Sequence, residues 1–248
     1  MQEAGGQHVS NGKNIHVISA HAADFVWRAG GAIALYAERG YKARILCLSY
    51  GERGESERLW KQPGMTLERV KEMRRAESQR AADILGAEIR FFDSGDYPIK
   101  PSEETVRAMV EEFRAHQPEF ILTHSPADPY NPDHGEASQL TIRTRVYAQA
   151  AGYSADGKKL EAPPVFMFEP HQPEQCDFKP QVLLDITPVF ERKRKAMESM
   201  EAQEHLWRYY TDLAIRRGVQ AVRNSGRKGI KHAEAYQRFY PQVTDQLA

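Results

Sequence analysis

Two histidines and several carboxylates in this chain stand at spacings that suit chemistry on a metal ion. His21-Ala22-Ala23-Asp24 puts two ligand-type side chains within one turn, and Asp133-His134 adds a third beside a carboxylate that could orient it. Two imidazoles and one carboxylate are a common catalytic set, because they leave coordination positions open for water and substrate. Zinc fits such a set, and iron(II) or manganese fit it too. The plainer alternative is that His21 and Asp24 cap the turn into a helix that starts nearby. Composition and spacing leave both readings open.

For these residues to meet, distant segments must end at one place. Short apolar runs predict strands at Ile15–Ala20, Arg44–Tyr50, Ile89–Phe92, Glu119–Thr123, Val165–Phe168 and Val182–Ile186. Helical spacing predicts helices over Ala29–Arg39, Thr66–Leu85, a stretch opened by Pro101-Ser102-Glu103-Glu104, His134–Ala151 and Pro188–Arg223. Gly40 and Gly86 are expected helix stops. Strands alternating with helices imply crossovers, hence an α/β fold with a mostly parallel sheet flanked by helices. No composition shift marks a boundary. The expectation is one domain over 1–248, with a flexible tail at 1–13 and a helical C-terminal extension over 188–248.

The chain has 248 residues, with 34 basic and 34 acidic side chains. Zero formal net charge argues against a nucleic-acid partner and against steering onto an anionic membrane. No apolar run approaches the roughly 18 residues of a membrane span, and the N-terminal MQEAGGQHVSNGK has no signal-peptide core. Two cysteines, Cys47 and Cys176, point to a reducing, cytoplasmic location.

Ligands of open α/β sheets bind beyond the carboxyl ends of the strands. Just there stand His21 and Asp24; then Glu52, Arg53 and Glu55; then Asp93 and Asp96; then His124, Asp128, Asp133 and His134; and finally Glu169 and His171. His8, His16, His116, His205 and His232 fall elsewhere and are expected to be solvated or packed.

In order and spacing, S-A-H-A-A-D, G-E-R-G-E, R-R-A-E-x-x-x-A-A-x-I-L-G, F-F-D-S-G-D and T-H-S-P…N-P-D-H resemble the LmbE-like, or PIG-L, zinc N-deacetylase superfamily. F-E-P-H and L-L-D-I-T…K-x-x-A-M extend the likeness, which spans roughly Ile15 to Gln203. The resemblance implies a Rossmann-like fold and, by position, His21, Asp24 and His134 as ligands of Zn2+ or another divalent metal. Two departures matter. The family's general base is an aspartate where this chain has Ala23, and alanine cannot accept a proton. The family's second-motif histidine is replaced by Asn131.

The segments S-A-H-A-A-D-F-V-W-R-A-G-G, G-E-R-G-E-S and F-E-P-H-Q-P-E-Q-C resemble a hydratase branch of that superfamily, metal-dependent lyases of bacterial gallate and protocatechuate degradation. Such enzymes add water to a conjugated carbon–carbon double bond of a small tricarboxylate. Hydration needs a base for water and an acid for the neighbouring carbon. Glu52 and His171 are the expected pair, with exchangeable roles. Against this, Glu52 could simply pair with Arg53, and His171 could be a loop histidine held by a carbonyl. Arg28 and Arg53 are the expected carboxylate binders, with Asn131 and Tyr130 in the pocket and Trp27 a weaker candidate. Arg58, Arg74 and Arg75 are more plainly solvated. Asp133 and His124 would orient the ligands. Relatives of this kind tend to be homo-oligomers. A zinc-dependent N-deacetylase of an acylated, sugar-like substrate is the alternative activity, and a non-catalytic ligand-binding protein is a third reading.

Overall fold

The computed structural model describes residues 12–246. The tail expected at 1–13 therefore lies almost wholly outside the described residues. The strands are β1 (Asn14–Ser19), β2 (Lys42–Cys47), β3 (Ala87–Phe91), β4 (Phe120–Thr123), β5 (Val165–Phe168), β6 (Val182–Asp185) and β7 (Ala233–Arg238). The helices are α1 (Asp24–Glu38), α2 (Glu57–Trp60), α3 (Leu67–Leu85), α4 (Glu103–His116), α5 (Pro132–Gln149), α6 (Phe190–Glu198) and α7 (Leu206–Ser225). The strands form one sheet in the order β3-β2-β1-β4-β5-β7-β6. The five strands from β3 to β5 in that order form four parallel pairs, and β7 is antiparallel to both β5 and β6.

Alternation along the central strands divides the core. Ile15, Val17 and Ile45 face α1, α3 and the C-terminal helices, where Phe25, Ile33, Ala81, Leu85, Met197 and Tyr210 pack. Ile18, Leu46 and Ile121 face α4 and α5, against Met109, Phe113 and Leu140. Both faces of the sheet are therefore covered, as parallel strands require. Helix ends follow local chemistry. Thr66 and Ser102 accept from Arg69 N and Thr105 N as N-caps. Gly86 ends α3 in the left-handed region (φ 79), where an L side chain would be strained. No described helix is long and apolar enough to cross a membrane. Cys47 and Cys176 are free and buried.

The C-terminal segment differs in detail from the expected unbroken helix. A 3-10 turn at Thr187–Val189 leads into α6, and a second at Glu201–Gln203 separates α6 from α7. The chain then returns as β7, a strand the hydrophobic pattern does not reveal. Its Glu234 is buried because Gly31 N, Ala32 N, Lys193 Nζ and the Tyr236 hydroxyl all donate to it. A buried carboxylate with four donors is affordable in a way its sequence does not disclose.

Candidate active site

β1 and β4 are neighbours in the sheet, and the loops after them lead to helices on opposite faces. This is a topological switch point, where doubly wound sheets open a crevice. His21 stands just beyond β1, and Asp24 is the first residue of α1. His134 is the third residue of α5, whose N-cap Asn131 accepts from Asp133 N. Both histidines and the aspartate are buried. His21, Asp24, His134 and Glu55 each offer one ligand atom, all within 4.8 Å of one another. The structure thus brings together the three residues expected from spacing and adds Glu55.

The polar contacts fix each member. His21 N donates to Asp24 Oδ2 at 2.9 Å. His21 Nδ1 lies 3.2 Å from both Asp24 Oδ2 and Glu55 Oε1, while Nε2 lies 3.3 Å from Asp133 Oδ2. His134 Nδ1 lies 2.8 Å from Asp128 Oδ2, and its Nε2 is 3.4 Å from Asp24 Oδ1. Asp133 was expected to orient His134, but it holds His21 instead, and Asp128 holds His134. His124 follows β4, accepts from Ala20 N at 3.0 Å and stacks on His134 with ring centroids 4.2 Å apart. Burial and the neighbouring His134 keep the His124 imidazole far below its usual range. Burial alone would also lower His21, but the Glu55, Asp133 and Asp24 carboxylates outweigh it and hold His21 well above its ordinary value.

These features fit a divalent cation. His134 Nε2 and Glu55 Oε2 are buried without a hydrogen-bond partner. With the Nε2 proton shared with Asp133, a neutral His21 would turn its Nδ1 lone pair on two carboxylates, an arrangement that a bound cation relieves, as a second ring proton also would. Imidazole nitrogens with carboxylate oxygens suit zinc and several other first-row metals. Asp128 and Asp133 would orient the imidazoles from outside.

The loop after β2 bears on the role expected of Glu52. Of its two glutamates, the one delivered to the cluster is Glu55. Glu52 is buried, but its Oε2 accepts from Tyr50 N, its Oε1 lies 3.9 Å from Lys71 Nζ, and it is absent from the lining of the central cavity. Gly51 (φ 64) makes the turn, at a place where a Cβ would meet Glu55 Cβ at 3.2 Å and His21 Cβ at 3.3 Å. The second Glu of G-E-R-G-E carried the signal.

A cavity of about 190 Å³ opens beside the cluster, lined by Asp24, Glu55 and His134 together with Arg28, Tyr130, Asn131, His171 and Tyr210 among others. Trp27 lines it too. Arg28 is buried, donates from Nη1 to Glu169 O, and pairs electrostatically through Nε with Asp24 Oδ1 at 3.4 Å. His171 stacks on Tyr209 at 4.2 Å, and burial followed by the Arg28 charge lowers its pKa from the ordinary value. Tyr130 is exposed at the rim. Arg53 does not reach the cavity; its Nη1 donates to Asp96 O at 3.0 Å, so a carboxylate-binding role finds no geometric support. Arg74 is not solvated. It is fully buried, bonded to Glu77 at 2.6 Å and to Gln203 at 2.8 Å, and Gln203 lines the cavity. Asp128, which position placed at a strand end without a role, and Gln203, which it did not, both line the cavity.

Residues 16–144 match the family model of GlcNAc-PI de-N-acetylase, PIG-L. The chain is 52% identical to 4-oxalmesaconate hydratase of Pseudomonas putida over 95% of this chain and 93% of the relative. It superposes on the crystal structure of GalB, the 4-carboxy-2-hydroxymuconate hydratase of Pseudomonas putida KT2440, with TM-score 0.93, covering 95% of this chain and 100% of that one. N,N'-diacetylchitobiose deacetylase of Pyrococcus horikoshii shares the fold at 21% identity and TM-score 0.76, covering 92% of this chain and 84% of that one. On the family model and the identity together, the chain belongs to the PIG-L family.

Proposed function

We propose that this protein is a metal-dependent hydro-lyase that adds water to the carbon–carbon double bond of 4-oxalomesaconate, or 4-carboxy-2-hydroxymuconate, in gallate and protocatechuate degradation. The observation that carries the reading is the 52% identity to a hydratase over 95% of the chain. Ala23 supports it. This alanine is wholly buried next to the ligand Asp24, where a deacetylase of the family needs its base.

His21, Asp24 and His134 are the proposed ligands, with zinc the proposed metal. A bound divalent cation would polarise the substrate's oxygens as a Lewis acid. Glu55 takes the place expected of Glu52 and forms the proton-transfer pair with His171. One group removes a proton from water as its oxygen bonds to carbon, and the other delivers a proton to the neighbouring carbon, so the double bond becomes single with charge conserved. Both line the same cavity. Arg28, buried in the cavity wall, suits a substrate carboxylate. Asn131 and Tyr130 border the substrate, and Asp133, His124 and Asp128 orient the ligands. A single-domain, cytoplasmic homo-oligomer completes the reading.

Two substrates separate this activity from deacetylation. Incubated with 4-carboxy-2-hydroxymuconate, the metal-loaded protein should bleach the conjugated absorbance, and with diacetylchitobiose it should release no amine. Amine release without bleaching contradicts the proposal.

A further inference from the structure

The loop between β3 and α4 contains Asp96, which has no direct part in the cluster yet is fully buried. A buried carboxylate needs a strong reason to be there. Its partners are peptide groups. Asp96 Oδ2 accepts from Arg53 N and from Gly54 N, each at 2.9 Å, and Oδ1 lies 3.1 Å from Arg53 N. Those are the two peptide nitrogens immediately before Glu55. Glu55 Oε1 in turn lies 3.2 Å from His21 Nδ1.

The same loop is anchored at its far side. Asp133 accepts from Tyr97 N at 2.8 Å and from Ile99 N at 2.9 Å, and it also lies 3.3 Å from His21 Nε2. Carboxylate–amide bonds are charge-assisted and short, so both ends of this brace are stiff. Tyr97 closes it from above. A Cβ on Gly54 would come within 2.0 Å of the Tyr97 ring, so any side chain there forces the ring or the peptide to move.

We propose that Asp96 is a positioning residue for Glu55, holding the Arg53–Gly54 peptides so that the Glu55 carboxylate faces His21 and the cavity. This rests on Glu55 acting in proton transfer. Asp96 touches neither the ligands nor the cavity lining, and its effect reaches the reaction only through Glu55.

Asp96→Asn keeps the shape and one acceptor oxygen. A misplacement of about 1 Å costs on the order of a hundredfold in rate. Asp96→Asn should therefore lower kcat roughly ten- to a hundredfold, with KM within about threefold, because the substrate contacts are untouched. Bound metal and melting temperature are measured on the same samples. The deciding comparison is the Glu55→Gln background. There, Asp96→Asn should change turnover by less than about twofold, since the group it positions is gone. An equal fall in both backgrounds overturns the proposal, as does a wild-type kcat in Asp96→Asn. Wild-type turnover in Glu55→Gln alone overturns the role of Glu55 itself, and the positioning claim with it. Should Asp96→Asn not fold, Gly54→Ala displaces the same peptide from the Tyr97 side, and the same two-background comparison applies.

Discussion

Asp128 Oδ2 lies 2.8 Å from Nδ1 of His134 and thereby sets which nitrogen of that imidazole faces the cluster. The bond assigns the proton to Nδ1 and leaves Nε2, buried and without a hydrogen-bond partner, toward Asp24. Outer carboxylates of this kind are typically worth ten- to a hundredfold in metal affinity. Asp128→Ala should weaken metal binding by about that factor, with Asp128→Asn intermediate. Competition against a chromogenic chelator reads it directly; unchanged affinity in Asp128→Ala would remove Asp128 from the metal's support.

The two glutamates of the β2–α2 loop should behave oppositely. Glu55→Gln is expected to cut turnover at least about a hundredfold, the usual scale of acid–base contributions. Glu52 faces Lys71 and Tyr50 N rather than the cavity, so Glu52→Gln should leave turnover within a few-fold. Steady-state kinetics on both variants decides it, and the reverse pattern would restore Glu52 as the base.

His171 should behave as Glu55 does. It lines the cavity and rests on the Tyr209 ring, which fixes its plane. His171→Ala should lower kcat at least about a hundredfold. A kcat within threefold of wild type would reassign the second proton-transfer role.

His16 gives a pH dependence remote from the cluster. It is wholly buried in β1 against Phe113, with neither ring nitrogen hydrogen-bonded. Burial, then His116 and Arg44, lower its pKa from 6.5 to about 3. Between those values the unfolded chain binds a proton that the folded chain refuses. Its stabilising contribution is complete above about pH 6.5 and drains away as pH falls toward 3. At pH 4.5 the loss is about 2 to 3 kcal/mol. His16→Leu should remove that part of the acid dependence, seen as a smaller gap between urea midpoints at pH 7 and 4.5. An identical gap would contradict it.

The meeting of His21, Asp24 and His134 was legible because each sits in a short motif after a strand, and strand ends follow from hydrophobic pattern alone. What the motif could not show is which of two nearby carboxylates turns inward. Glu55 rather than Glu52 is chosen by a clamp from Asp96, 43 positions away from Arg53. Asp128 rather than Asp133 reaches His134, because the first turn of α5 points Asp133 back toward His21 and Tyr97. Arg74 looked solvated because its partners, Glu77 on its own helix and Gln203 beyond α6, meet only in the fold. β7 was hidden for the same reason, its buried Glu234 being satisfied by Lys193 and by α1.

The most direct test of the central claim is the metal dependence of hydration. The protein is stripped with a chelator, checked for residual metal, and mixed with 4-carboxy-2-hydroxymuconate while the conjugated absorbance is followed. The account predicts no bleaching until a divalent metal is returned, and none even then in His134→Ala. Bleaching at the full rate by the stripped protein would contradict it.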